Sequence, residues 1–183
     1  NCYKGYQNAT KTCDFTTTGL TEKAKAMIVT AKWYLGGTER YNSSSNGLAS
    51  HWYKYERGTK VYSGRGTSWT GKVGLMYLSD YGYATSGGAT TNRASCLAKE
   101  LTKWDDSSVS DCKDNDWMYN SSKSQWTITP KFNTNGVFYV DNTGYVNSNI
   151  VYGDCGVRPV VHLKSTIKVI SGSGTKESPY ILE

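Results

Sequence analysis

NGVFYVDNTGYVNSN, residues 135–149, places two runs of β-formers on either side of Asp141-Asn142-Thr143-Gly144. A four-residue connection ending in glycine is a common β-hairpin loop, so the stretch predicts two antiparallel strands. The same grammar continues in both directions. QWTITP (125–130) alternates and is ended by Pro130, which has no N–H for a ladder. GVRPVVHLKS (156–165) reads as a further strand, with Val157, Pro159, Val161 and Leu163 on one face and Arg158, Val160 and His162 on the other. Apolar groups on both faces predict a strand covered on both sides, with an open edge or a bulge at Pro159. The tail IKVISGSGTKESPYILE reads as a last hairpin around a Gly/Ser turn, within 166–183.

Upstream the grammar is helical. In TTGLTEKAKAMIVTAKWYLGG, Thr21 suits an N-cap, and Ala24, Met27, Ile28, Ala31 and Tyr34 or Leu35 form an i, i+3, i+4, i+7 stripe. Gly36 and Gly37 supply the stop. ASHWYKYERG (49–58) predicts a shorter helix ending at Gly58, after the polar loop ERYNSSSNG. Beyond it, KVGLMYLS (72–79) reads as a strand, SDYGYATSGGATTN as turns and SCLAKELTKWDD (95–106) as one or two helical turns. Helices first and strands later predict an α+β fold, in which N-terminal helices pack on a mostly antiparallel, twisted sheet ending in a C-terminal β-hairpin.

The chain has 183 residues, which suits one domain spanning 1–183. Fifteen Tyr and six Trp stand against three Phe. Tyr and Trp join an apolar body to a polar tip, which suits half-exposed binding faces as well as strands. The net charge is +6, but the 21 Lys and Arg are scattered singly and accompany no nucleic-acid-reading motif. That pattern argues against nucleic acid as a partner and leaves anionic glycans open through the long-range field. No membrane-spanning run or signal peptide is visible, and the opening NCYKGYQNATKTCDF predicts a trimmed ectodomain whose anchor lies outside this chain. Sequons at Asn8, Asn42 and Asn120 fit surface loops.

Five cysteines without a CxxC, beside two histidines, argue against structural zinc. Cys2 with Cys13 and Cys96 with Cys112 could each close a short loop, which would place the protein outside the reducing cytosol. Spacing alone leaves the connectivity open, with Cys155 as the odd one. Neither His51 nor His162 has a carboxylate beside it in sequence, and nothing near Cys155 would lower its pKa. Asp111, Asp114 and Asp116, in DCKDNDW, form the candidate Ca2+ site, although the EF-hand spacing and its terminal Glu are absent. Glycoside hydrolysis would need two facing carboxylates, and none of the six Glu stands in an apolar setting that would raise its pKa. No other cofactor is implied.

FYVDNTGYVNSNIVYGD (138–154) is rich in Tyr, Ser, Asn and Gly, which serve as rigid stacking plates with adaptable hydrogen bonding. Tyr139, Asp141, Asn142, Tyr145, Asn147, Asn149 and Tyr152 are therefore the candidate binding residues, with Trp117 and Trp126 as helpers.

The succession GLMYLSDYGYA, a cysteine-bracketed loop, NDWMYN, QWTITP, VFYVDNTGYV, GVRPVVHLKS and ISGSGTKESPYIL resembles a group of surface proteins of gut-dwelling Firmicutes. These often follow a prepilin-type N-terminal segment, and the resemblance runs from LTEKAKAMIVTAKWYLGG to the end of the chain. Gly156-Val157-Arg158 is similar to the strand that closes the C-type-lectin-like fold, including its formylglycine-generating-enzyme branch. The Glu-Pro-Asn or Gln-Pro-Asp triplet of calcium-dependent lectins is absent, and Asn115-Asp116-Trp117 scrambles their Trp-Asn-Asp. The cysteine pair of the formylglycine-generating enzymes has no counterpart, so the resemblance implies the scaffold without the lectins' calcium-mediated sugar binding or the enzymes' oxidase activity. The expectation is a non-enzymatic, extracellular head domain of a pilin-like or anchored bacterial protein, binding a glycan or protein surface. The alternatives are a structural subunit that packs neighbouring copies into a filament and a cell-wall-modifying hydrolase.

Overall fold

The computed structural model describes residues 20–38, 47–61, 63–132, 134–151, 154–175 and 177–183. The expected Cys2–Cys13 bracket in segment 1–19, most of the polar loop 39–46 and Tyr152 lie outside them.

The first helix, α1, spans only Glu22–Met27, with Thr21 Oγ1 accepting from the Ala24 N–H at 3.1 Å. The expected continuation to Leu35 is instead a strand, β1, at Ala31–Tyr34. Ile28-Val29-Thr30 is a β-branched run that loses side-chain freedom in a helix. Pairing then decides the matter: β1 runs antiparallel to β2 (Ser68–Gly71), setting Trp33 opposite Trp69. Trp33 is buried, and its indole N–H donates to Gly71 O at 3.0 Å.

Helix α2 spans Ala49–Glu56, with Gly58 just beyond it, as its pattern predicts. The 72–79 run is not one strand: β3 stops at Val73–Leu75, and α3 occupies Leu78–Ala84. The Tyr77 N–H donates to Asp80 Oδ2 at 3.0 Å, so the aspartate satisfies an N-terminal amide that the helix itself cannot. Helix α4 (Arg93–Leu97), 3-10 turns at Leu101–Lys103 and Ser107–Val109, and α5 (Ser110–Asp114) follow. A Cys96–Cys112 disulfide joins α4 to α5 with the Cα atoms 5.4 Å apart.

The central hairpin forms as read, with β5 at Gly136–Val140 and β6 at Val146–Ile150, and β4 (Gln125–Pro130) pairs on the other side of β5. The strand expected over 156–165 shrinks to β7 at Pro159–Val161, paired with β3 alone. Covered faces were expected there, yet Val157 and Leu163 are exposed. A strand with one partner leaves an edge, and Pro159 needs no ladder acceptor there. Strand β8 (Val169–Ser171) pairs antiparallel with β9 (Ile181–Leu182).

The architecture is α+β with antiparallel sheets, differing from the expectation in two ways. Helices α2 to α5 sit between strands rather than before them, and the described strands form four small sheets instead of one. The core gathers Trp52 of α2, Leu78 and Tyr81 of α3, Trp104, and Phe138, Val140 and Val146 of the hairpin around the disulfide. Burial of large aromatic groups, at roughly 25 cal/mol per Å² of apolar surface, is the main favourable term here.

Candidate functional site

The β4–β5–β6 sheet has two chemically different faces. Phe138, Val140 and Val146 point into the core. By alternation, Val137 and Tyr139 of β5 point the other way, opposite Asn149 and Asn147 of β6. Trp126 of β4 lies opposite Tyr139, and their rings meet edge to face with centroids 5.6 Å apart. Four of the residues singled out from sequence, Trp126, Tyr139, Asn147 and Asn149, therefore share one outward face. Trp126 is buried beneath this layer, Tyr139 and Asn147 are half-buried, and Asn149 is exposed.

Asp141 organises the hairpin turn through one carboxylate oxygen. Its Oδ1 accepts from Thr143 N at 2.8 Å, Thr143 Oγ1 at 2.6 Å and Tyr145 N at 3.0 Å. The carboxylate thus holds the hairpin turn, and Gly144 takes φ +89°, a left-handed conformation that costs glycine little. From below, Tyr81 Oη donates to Gly144 O at 3.0 Å, and from the side Tyr119 Oη donates to Asn142 O at 2.7 Å. The Asn142 side chain is exposed at the tip and Tyr145 is half-buried. Trp117 stands apart from the face, 73% exposed, with its carbonyl accepting from Arg158 Nη1 at 3.3 Å. Arg158 is therefore a structural arginine capping backbone carbonyl.

The structure does not gather the three aspartates offered for calcium. Asp111 Oδ2 accepts from Thr90 N at 2.7 Å, Thr90 Oγ1 at 2.6 Å and Thr91 N at 2.8 Å, and the Thr90 hydroxyl helps to hold its pKa low. Asp114 pairs with Lys113 at 2.6 Å. Asp116 is buried, accepts from Met118 N at 2.8 Å, and is pushed up to about 7 by its burial. Among the described residues no group of three His, Cys, Asp or Glu is placed to hold a metal ion.

Two reactive side chains have quiet surroundings. The His162 ring packs on Trp33 with centroids 4.9 Å apart. Cys155 is a half-buried free thiol, and burial together with the neighbouring Asp154 raises its pKa, which disfavours the nucleophilic thiolate.

Sequence reasoning missed Glu56. No glutamate was expected in an apolar setting, yet Glu56 is fully buried and its burial pushes the pKa up to about 7. Ser79 N donates to Oε1 at 3.1 Å, Thr129 Oγ1 donates to Oε1 at 2.9 Å, and Ser79 Oγ donates to Oε2. The carboxyl ties α2, α3 and β4 together. A signal lay in the spacing: Trp52, which the structure buries, and Glu56 are four apart on one helix face.

In comparisons with protein-family models, curated proteins and solved structures, this chain found no match.

Proposed function

We propose that this chain is a non-enzymatic binding domain that captures a glycan, or a glycan-bearing protein surface, outside the cell on its β4–β5–β6 face. The observation that carries this reading is the edge-to-face Trp126–Tyr139 pair, with Asn147 and Asn149 beside it on a single outward face. An aromatic plate stacks on the apolar side of a sugar ring, and the exposed Asn149 amide, whose Oδ1 accepts from Ile150 N at 2.8 Å, turns its N–H groups to the sugar hydroxyls. The plate is backed by the core through Phe138 and Val140, so little ordering entropy is lost on binding. The Cys96–Cys112 disulfide supports an oxidising location. A bacterial surface setting, in the manner of pilin-like head domains, fits that location and the resemblance of the sequence. Glu56 supports the binding reading over the hydrolase: its raised pKa would suit acid catalysis, but it is fully buried and engaged by three protein donors.

A glycan and mucin array read with and without EDTA tests the proposal. Capture insensitive to EDTA, and lost in Tyr139→Ala and Asn149→Ala, is the expected result. Absence of capture, or capture that both variants retain, contradicts it.

A second reading, assembly into a filament, is favoured by the β8–β9 ribbon, where Val169, Ile170, Tyr180 and Ile181 are each more than half exposed. An apolar ribbon of that kind suits burial against a neighbouring copy. Sedimentation that shows concentration-dependent assembly, abolished by Ile170→Lys, would support it.

A further inference from the structure

The β1–β2 ribbon also has two unlike faces. Trp33 and Trp69 oppose each other on one; on the other, Lys32 faces Thr70 and Tyr34 faces Ser68. Lys32, Tyr34 and Thr70 are all exposed. The Tyr77 hydroxyl clamps this strand end, accepting from Tyr34 N at 2.7 Å and donating to Tyr34 O at 3.1 Å. Arg57, the residue after α2, reaches the same corner. Its Cζ stands 3.5 Å from the Tyr53 ring centroid, 5.6 Å from that of Tyr34 and 5.4 Å from that of Tyr77. Lys32 Nζ lies 5.1 Å from the Tyr34 centroid on the strand itself.

The guanidinium is held in place by an ion pair with the buried Glu56 and keeps 30% of its side chain exposed. Its Nη1 donates to Tyr53 O at 3.3 Å and approaches Glu56 Oε2 at 3.6 Å. Glu56 is the only carboxylate in β1, β2 or α2, and it is fully buried. Asp80 of α3, the neighbouring acid, accepts from the Tyr77 N–H. What faces water is therefore cationic and aromatic, with the hydroxyls of Ser68 and Thr70 alongside.

We infer that this corner binds an acidic sugar of an anionic glycan, at a site separate from the β4–β5–β6 face. Arg57 presents a planar fork to the sugar carboxylate, and Lys32 adds a second positive charge. Tyr34, 36% exposed, offers ring surface to the carbon face of the pyranose, while the Tyr53 ring backs the guanidinium. Charge complementarity selects an anion, and the spacing selects the kind. A nucleic acid gains affinity from many cations along a phosphate track, whereas here two cations flank one aromatic ring, which matches one carboxylate on one ring.

Calorimetric titration of the intact chain with an unsulfated oligogalacturonate tests the inference, with its methyl ester, oligo(dT) and phosphatidylserine vesicles as comparison ligands. The expected result is saturable, salt-weakened binding of the oligogalacturonate and none of the ester. Arg57→Gln and Lys32→Gln should each weaken binding by about tenfold or more, and Arg57→Lys should restore only part, because it keeps the charge and loses the fork. Lys32 is an exposed strand residue, so Lys32→Gln should leave the thermal melt unchanged and loss of binding there cannot be unfolding. No binding, equal binding of the ester, indifference to both variants, or tighter binding of oligo(dT) or vesicles would each overturn the inference.

Discussion

Glu56 and Thr129 are 73 positions apart in sequence, and Thr129 Oγ1 donates to Glu56 Oε1 at 2.9 Å inside the protein. With Ser79 on the same carboxyl, that contact joins α2 and α3 to the sheet that carries the candidate binding face. The strand that carries Trp126, β4, is thereby anchored from behind at Thr129.

Removing the joint should be costly. Glu56→Ala leaves buried donors on Ser79 and Thr129 without an acceptor, and should destabilise the fold by about 3–5 kcal/mol. Glu56→Gln keeps one acceptor oxygen but points an amide N–H at a donor, and should cost about 1–3 kcal/mol. Urea denaturation followed by Trp fluorescence measures both.

The same burial predicts the pH dependence. Glu56 and Asp116 both have folded pKa values raised to about 7 from ordinary carboxylate values of 4.5 and 3.8. The folded state therefore binds these protons more tightly than the unfolded chain. Their contribution to stability is full below about pH 4 and is lost as the pH rises toward 7. Denaturation midpoints should fall across that window, and Glu56→Gln should flatten the slope.

Gly144 connects the turn to the acidic segment. Its φ is +89°, and a Cβ there would meet Lys113 Cδ at 2.5 Å and Tyr81 Oη at 3.2 Å. Gly144→Ala should cost about 1–3 kcal/mol through the strained backbone and the displaced Tyr81 contact. Hydrogen exchange should then quicken at Asp141–Tyr145, the turn whose amides Asp141 holds.

The Cys96–Cys112 bond closes a short loop across α4 and α5. Its removal in Cys96→Ser with Cys112→Ser should lower stability by about 2–4 kcal/mol, measured by thermal melting against the oxidised protein.

The hairpin and α2 were legible because each is specified locally. Asp141 to Gly144 carries its own turn chemistry, and Ala49 to Glu56 carries its own helical face and glycine stop. Ala31–Tyr34 was not legible, since the same apolar spacing fits a helix until Trp33 meets Trp69, 36 residues further on, which no local window contains. Leu78–Ala84 was hidden by a continuous apolar run, and its first amides are met by Asp80 and by the distant Thr129 and Glu56, which no local window contains. Within the candidate site, Trp126, Tyr139, Asn147 and Asn149 were legible by residue type. Their sharing of one face follows from the β4–β5–β6 register, and the turn-holding role of Asp141 from side-chain geometry.

The most direct test of the binding face is an amide and indole NMR titration of the chain with the glycan captured on the array. Shifts concentrated at Val137, Tyr139, Asn147, Asn149 and the Trp126 indole are the predicted result. Shifts confined to other surfaces, with those five signals unmoved at saturation, would contradict the account.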